Sequence, residues 1–402
     1  MGTDRSNVDR LVRIIVTGGG TGGHTYPALT TVRAVRELAG EGAEPALFWV
    51  GTANGLEARV AAENRVPFRA ITTGKLRRSA HLRQLGRNFV DAFRIPLGIL
   101  QAVAVVARWR PDVVFSTGGY VAVPVGVAAW LLRRPLVMHE QTVTVGLANR
   151  ILARLSTQVL LSHESSLRFL PSKARRRAVV TGNPVRPELL GGRREAALDT
   201  FELDPALPVV YVTGGAQGSV QINTLVAEIL PELLSRCQVL HQCGELSYER
   251  MNAVAQALPQ EQRARYRAVA YVHAELPDVL AAADIVVARS GAGTVAELTA
   301  LGKPCILIPL VPTGGDEQRR NAAHLAEAGA ARVLAGDDAT PQRLLAELLA
   351  LLDDPTQRDR IAAAARAHGR PDAAAAVAAA LLAHAHVRAS TVPRPTPSQR
   401  TS

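Results

Sequence analysis

The stretch Arg13-Ile14-Ile15-Val16-Thr17-Gly18-Gly19-Gly20-Thr21-Gly22-Gly23-His24 decides the fold. A short apolar run, Leu11 to Val16, breaks into a glycine cluster and is followed by helical periodicity, the pattern of strand, tight turn and helix. The pattern returns three times. Asp112 to Phe115 enters Ser116-Thr117-Gly118-Gly119-Tyr120, and Val209 to Val212 enters Thr213-Gly214-Gly215-Ala216-Gln217-Gly218-Ser219. Ile285 to Ala288 enters Arg289-Ser290-Gly291-Ala292-Gly293-Thr294. Strands alternating with helices predict an α/β chain of parallel sheets covered on both faces, in two similar halves.

With 402 residues, 48% of them hydrophobic and 20% charged, the chain can bury two cores and is not disordered over most of its length. The strand-helix rhythm fades between Pro187 and Pro208, which sets the boundaries. Residues 8–187 are read as the N-terminal domain, 188–207 as a linker and 208–354 as the C-terminal domain. Helices over 355–387 are expected to pack back toward the N-terminal domain, and the Pro, Ser and Thr-rich 388–402 to be a disordered tail. Cys237, Cys243 and Cys305 fit neither an even disulfide framework nor paired zinc spacing, so a reducing compartment is expected. The apolar Leu11 to Val16 is too brief for a signal-peptide core. Ile95 to Ala107 falls short of the roughly 18 to 20 residues that span a bilayer.

A formal charge of +11 points to an anionic partner, although with only three lysines the arginine excess fits genome base composition equally well. Local clustering is more telling. Arg69, Lys75, Arg77, Arg78, Arg83, Arg87 and Arg94 outnumber Asp91 and are interleaved with Leu76, Leu82, Leu85, Phe89, Phe93 and Leu97. At about 1 kcal/mol per basic side chain, such a segment would bind an anionic leaflet reversibly. The ordinary alternative is an amphipathic helix with a solvated face. Few aromatic residues are present to stack on bases, so nucleic acid is the poorer partner.

A glycine cluster between strand and helix lets the backbone approach a ligand and aims helix-start N–H groups at phosphate. One such loop is most simply a tight turn, but four at strand ends are harder to dismiss. The first loop lacks a P-loop ending and only loosely approximates the dinucleotide spacing, which disfavours NAD. His24 closes that loop as a candidate general base, or as a cap of the helix that follows. Glu297, one turn beyond Ser290 to Thr294, suits a ribose diol, or the helix dipole. His139-Glu140-Gln141 and Asp316-Glu317-Gln318 with Asn321 suit sugar hydroxyls, or caps and turns. No DxD spacing appears, so the loops would take a metal's place at a diphosphate.

The ordered set GGGTGGHTYP (Gly18 to Pro27), TGGY (Thr117 to Tyr120), HEQ (His139 to Gln141), GNPVR (Gly182 to Arg186), GGAQGSVQIN (Gly214 to Asn223) and RSGAGTVAELTALGKP (Arg289 to Pro304) resembles the MurG family of bacterial peptidoglycan transferases. The match runs over roughly residues 11 to 385 and is specific as a set. The resemblance implies a GT-B fold, two Rossmann-like parallel-sheet domains facing a central cleft. It implies inverting transfer of N-acetylglucosamine from UDP-GlcNAc to lipid I, the undecaprenyl-pyrophosphoryl-MurNAc-pentapeptide, giving lipid II, with no metal or other cofactor. By the same resemblance His24 is the candidate catalytic base or an acceptor-side residue, and Thr21, Gly22 and Gly23 would cradle the acceptor pyrophosphate, with Gly118, Gly119, Tyr120 and Glu140 also on the acceptor side. Arg186 is assigned to uridine, Ser290, Gly291, Ala292, Gly293 and Thr294 to the diphosphate, Glu297 to ribose and Gln318 to the donor sugar. Thr142 and Ala216 complete the donor side. The implied location is the cytoplasmic face of the cell membrane, on its anionic leaflet and near other cell-wall enzymes.

Three positions depart from the family pattern. Thr142 stands where Asn is usual, Ala216 where Ser is usual, and Glu317-Gln318 where His-Gln or Gln-Gln is usual. They motivate an alternative, a diverged GT-B enzyme using another UDP-sugar or acceptor in antibiotic or glycolipid synthesis. A non-catalytic scaffold and a UDP-sugar epimerase are the other readings.

Overall fold

A computed structural model describes residues 11–39, 44–74, 82–311 and 316–391, with backbone only for 82–93 and 386–391. The chain divides into two compact units. The first takes the described residues of Met1–Glu140, Val145–Thr181 and Ala375–Ser402, and the second takes Gln141–Thr144 and Gly182–Ala374.

The first unit carries β1 (Arg13–Thr17), β2 (Ala46–Gly51), β3 (Phe68–Ala70), β4 (Val113–Ser116), β5 (Leu136–Glu140), β6 (Gln158–Leu161) and β7 (Ala178–Val180). All pairs are parallel, in the order β3-β2-β1-β4-β5-β6-β7. The second unit carries β8 (Val209–Thr213), β9 (Gln238–Gln242), β10 (Tyr266–Val269), β11 (Ile285–Ala288), β12 (Cys305–Leu307) and β13 (Arg332–Val333). Its sheet is also parallel, ordered β10-β9-β8-β11-β12-β13.

The apolar strand runs are covered on both faces. In the second sheet Val210, Val212, Ile285 and Val287 join one core, and Tyr211, Val286 and Ala288 join the other. That alternation is the two-residue side-chain period of a strand buried on both sides. Each fully buried Val or Leu contributes roughly 1.5 to 3 kcal/mol. In both sheets the direction of strand succession reverses once, between β1 and β4 and between β8 and β11. Ligands of open α/β sheets bind outside the strand C-ends at such a reversal. The four glycine loops follow β1, β4, β8 and β11.

Several details differ from the sequence reading. Residues 188–207 are folded into the second unit. Leu189, Ala197 and Leu203 are buried, Arg193 N–H donates to Asp278 Oδ1 at 2.7 Å, and Arg194 donates to the Ala282 carbonyl at 2.7 Å. Residues 355–387 form two helices. Pro355–His368 packs Ile361 and Ala365 into the second unit, while Ala373–Thr391 joins the first unit from Ala375, where His384 Nε2 lies 2.9 Å from Gln158 Oε1. The tail is helical through Thr391, and 392–402 lie outside the described residues.

Of the basic segment, Lys75, Arg77 and Arg78 lie outside the described residues, as do the side chains of Arg83 and Arg87. Arg69 stands in β3 and Arg94 is exposed on the helix Leu82–Trp109. Among the described residues no helix is long and apolar enough to cross a membrane.

Candidate active site

In the first unit the loops after β1 and β4 are in contact. Gly18 has φ +145° and a Cβ there would strike Thr117, while a Cβ on Gly119, with φ +81°, would meet the Gly19 carbonyl oxygen at 2.6 Å. Only glycine permits both the backbone angles and this approach. Thr21 begins the helix Gly22–Ala39, its carbonyl accepting from His24 N–H at 3.2 Å and Thr25 N–H at 3.1 Å. His24 Nδ1 lies 2.8 Å from the Thr117 carbonyl, which can only accept. In a neutral imidazole this contact favours the tautomer with the proton on Nδ1 and the lone pair on Nε2. Thr21 and Gly23 are exposed, and Gly22, His24, Gly119 and Tyr120 are half-buried, on the two loops that the sequence resemblance assigns to the acceptor.

His139 and Glu140 are the last residues of β5, both buried. The Glu140 carboxylate accepts from Asn149 Nδ2 at 2.8 Å and Gly146 N–H at 3.4 Å. A Cβ on Gly118 would strike the Asn149 amide, so Glu140 adjoins the β4 loop through Asn149.

In the second unit the β8 and β11 loops are tied by Arg289. Its guanidinium is buried and donates to Ser219 Oγ at 2.7 Å, Gln221 Oε1 at 2.9 Å and the Ile308 carbonyl at 2.9 Å. Burial alone lowers its pKa from the ordinary value. Ser219 Oγ in turn caps the helix Val220–Leu233, accepting from Ile222 N–H at 3.3 Å. Ser290 Oγ donates to the Gln318 carbonyl at 2.7 Å, and Gln318 Oε1 accepts from Leu310 N–H at 2.9 Å. Asn321 donates to the Ser290 carbonyl at 3.1 Å and accepts from Val143 N–H at 3.4 Å, which brings the Thr142 turn to the same place. Thr142 Oγ1 donates to the Thr144 carbonyl at 2.7 Å, and Ala216 is exposed on the β8 loop.

Gly291 caps the helix Ala292–Leu301 with φ −62° and ψ 148°, an ordinary extended backbone. Nothing lies within 4 Å of where a Cβ would stand on Gly215, Gly291 or Gly293. The absence of side chains there keeps the first N–H groups of the helix open to an anion. One turn on, Glu297 Oε1 pairs with Arg186 Nη2 at 3.0 Å. Burial pushes the Glu297 carboxyl up, and the Arg186 guanidinium opposes the shift. Asn183 Nδ2 donates to the Ala292 carbonyl at 3.2 Å, which holds the Gly182–Arg186 segment against this helix.

Reasoning from sequence singled out neither Arg289 nor Asn183 individually, although both lie inside quoted motifs. It also passed over Glu57, a fully buried carboxyl under the β1 loop. An acid in the first turn of a short helix carries no signal of its own; its neighbour Gly20 lies 37 residues away.

Known proteins resemble the chain in sequence and in fold. The glycosyltransferase family 28 N-terminal domain matches residues 14–161, and the family 28 C-terminal domain matches residues 209–377. The UDP-N-acetylglucosamine–N-acetylmuramyl-(pentapeptide) pyrophosphoryl-undecaprenol N-acetylglucosamine transferase of Treponema pallidum subsp. pallidum is 36% identical over 340 residues, 84% of this chain and 86% of that protein. The crystal structure of Acinetobacter baumannii MurG superposes with a TM-score of 0.71 at 25% identity, covering 92% of this chain and 99% of that one. The UDP-GlcNAc 2-epimerase of Neisseria meningitidis, at 14% identity and a TM-score of 0.63 over 93% of this chain and 100% of that one, shares the fold. With both family 28 domains in order and 36% identity over the 340 residues aligned with such an enzyme, the chain belongs to the MurG family of N-acetylglucosaminyltransferases.

Proposed function

We propose that the chain transfers N-acetylglucosamine from UDP-GlcNAc to undecaprenyl-pyrophosphoryl-MurNAc-pentapeptide, inverting the anomeric centre and using no metal. The observation that carries this reading is the helix start at Gly291, open above Gly291 and Gly293, with Glu297 and Arg186 one turn on. Backbone N–H groups suit a diphosphate, and a carboxylate suits a ribose diol.

In the proposed reaction the acceptor hydroxyl attacks the anomeric carbon. The new C–O bond forms as the bond to the β-phosphate oxygen breaks, and its electron pair leaves on UDP. The hydroxyl proton passes to His24 Nε2, whose lone pair is set by the Nδ1 contact to Thr117. Charge developing on the diphosphate meets the Gly291 helix start, with the buried Arg289 guanidinium on the preceding residue but one. Thr21, Gly22 and Gly23, with the β4 loop, hold the acceptor pyrophosphate. Docking on an anionic leaflet belongs to the same proposal and is supported by the basic run between Arg69 and Arg94.

The test is incubation with a soluble analogue of the lipid acceptor and a panel of UDP-sugars in EDTA, with products read by mass spectrometry. The expected result is a hexosamine-extended product from UDP-GlcNAc. Turnover with a different sugar alone, or isomerised UDP-sugar without acceptor, would overturn the assignment.

A further inference from the structure

The geometry points to Glu57 as a positioning residue that fixes the histidine-bearing glycine loop for the acceptor. It stands in the first turn of the helix Leu56–Glu63, just beyond the end of β2, and is fully buried. Its Oε2 accepts from Gly20 N–H at 3.2 Å. Its Oε1 accepts from Thr52 N–H at 3.0 Å and from Thr52 Oγ1 at 2.6 Å. Among the described residues no lysine or arginine pairs with it. Three hydrogen bonds to two loops are therefore what hold this carboxyl, the shortest of them from Thr52 Oγ1.

The surroundings are shaped to this side chain. A Cβ added to Gly19, Gly51 or Gly55 would collide with it, so glycines of the β1 loop and of both ends of the connection after β2 make room for one carboxyl. A structural acid needing only a partner would not require this clearance. The consequence lies in the direction of the Gly20 N–H. Gly20 has φ +82°, and its N–H turns inward to Glu57 rather than outward. That fixes the Gly19–Gly20 peptide, one residue before Thr21, whose carbonyl begins the helix carrying His24. The same segment meets the β4 loop, where Gly119 lies against the Gly19 carbonyl and the His24 ring. Glu57 thus acts through Gly20 on two things at once, the aim of the N–H groups after Thr21 and the register of His24 on Thr117.

This inference rests on the reading of the His24 loop as the acceptor side, and the test separates the two. Glu57→Gln keeps the shape but puts an amide N–H against one of the donors. A misaligned catalytic group typically costs roughly 10- to 100-fold in rate. Glu57→Gln is expected to lower kcat or raise the acceptor KM by that factor, with UDP affinity in calorimetry and the unfolding midpoint nearly unchanged. Glu57→Asp, which retains the carboxyl, is expected to recover part of the loss. Wild-type kinetics in Glu57→Gln, or an equal loss of UDP affinity, would overturn the inference. Should Glu57→Gln fail to fold, Thr52→Val removes one of the three bonds and keeps the acid. It is expected to lower acceptor turnover severalfold, and wild-type turnover would overturn the inference. His24→Ala, run in parallel, tests the underlying reading. If it turns over normally, that reading fails whatever Glu57 does.

Discussion

His24 and Thr117 hold each other in both directions across two loops. The imidazole Nδ1 lies 2.8 Å from the Thr117 carbonyl, and Thr117 Oγ1 donates to the His24 carbonyl at 2.8 Å. The pair fixes both the ring's tautomer and the backbone that carries it. His24→Ala is expected to lower kcat by roughly 10²- to 10⁴-fold, the usual worth of a general base, with UDP binding unaltered. Steady-state kinetics beside a UDP titration decide it, and equal losses in both would remove His24 from the chemistry.

Gly291 separates folding from binding. Its backbone angles are open to any residue, and nothing stands within 4 Å of its absent Cβ. Gly291→Val is therefore expected to leave the unfolding midpoint within a few degrees while raising the UDP-GlcNAc KM about tenfold or more, since a side chain would stand before the helix-start N–H groups. An unchanged KM would show that no diphosphate approaches there.

The Arg186–Glu297 pair sets a pH dependence for the donor. Burial raises the Glu297 carboxyl and Arg186 pulls it down. A carboxylate is needed to accept from a diol, so the donor KM should rise as pH falls through this raised pKa. Arg186→Met removes the opposing charge, and the acid limb should move to higher pH. KM for UDP-GlcNAc measured across pH in both proteins checks it, an unmoved limb being the adverse result.

His241 makes the second unit acid-sensitive. It is fully buried between the Tyr266 hydroxyl at 2.9 Å and Asn223 Oδ1 at 3.0 Å, and burial lowers its pKa from 6.5 to about 3. The unfolded chain takes up the proton first, so this stability is complete above pH 6.5 and is lost as pH falls toward 3, at about 1.4 kcal/mol per unit of pKa difference. His241→Phe strands two polar groups and should be less stable at pH 7 by about 1 to 3 kcal/mol. The gap to wild type should narrow on acidification, as read by urea unfolding at several pH values.

The strand runs and their glycine endings were legible locally. Ile285 to Ala288 is the strand β11, and Val209 to Val212 lacks only Thr213 of β8. The stretch 188–207 was misread as a linker because its helix, Arg194–Phe201, is short, and its stability comes from Asp278, Ala282 and Asp284, some 80 to 90 residues further on. At the end of β5 Glu140 is held by Asn149, a partner that returns to it only after a turn and that the residues around Glu140 do not mark.

The sequence by itself determined the units of construction: β-branched runs that must be buried on both faces, and glycine loops whose backbone must come close to something. Those follow from side-chain branching and φ freedom, which act over a few residues. The tertiary structure alone decided which loops are neighbours. Strand order in a parallel sheet is set by crossovers tens of residues long, so only the folded sheets place the β1 loop beside the β4 loop and the β8 loop beside the β11 loop. That same closure brings Glu57 under Gly20, a relation that no local pattern could specify.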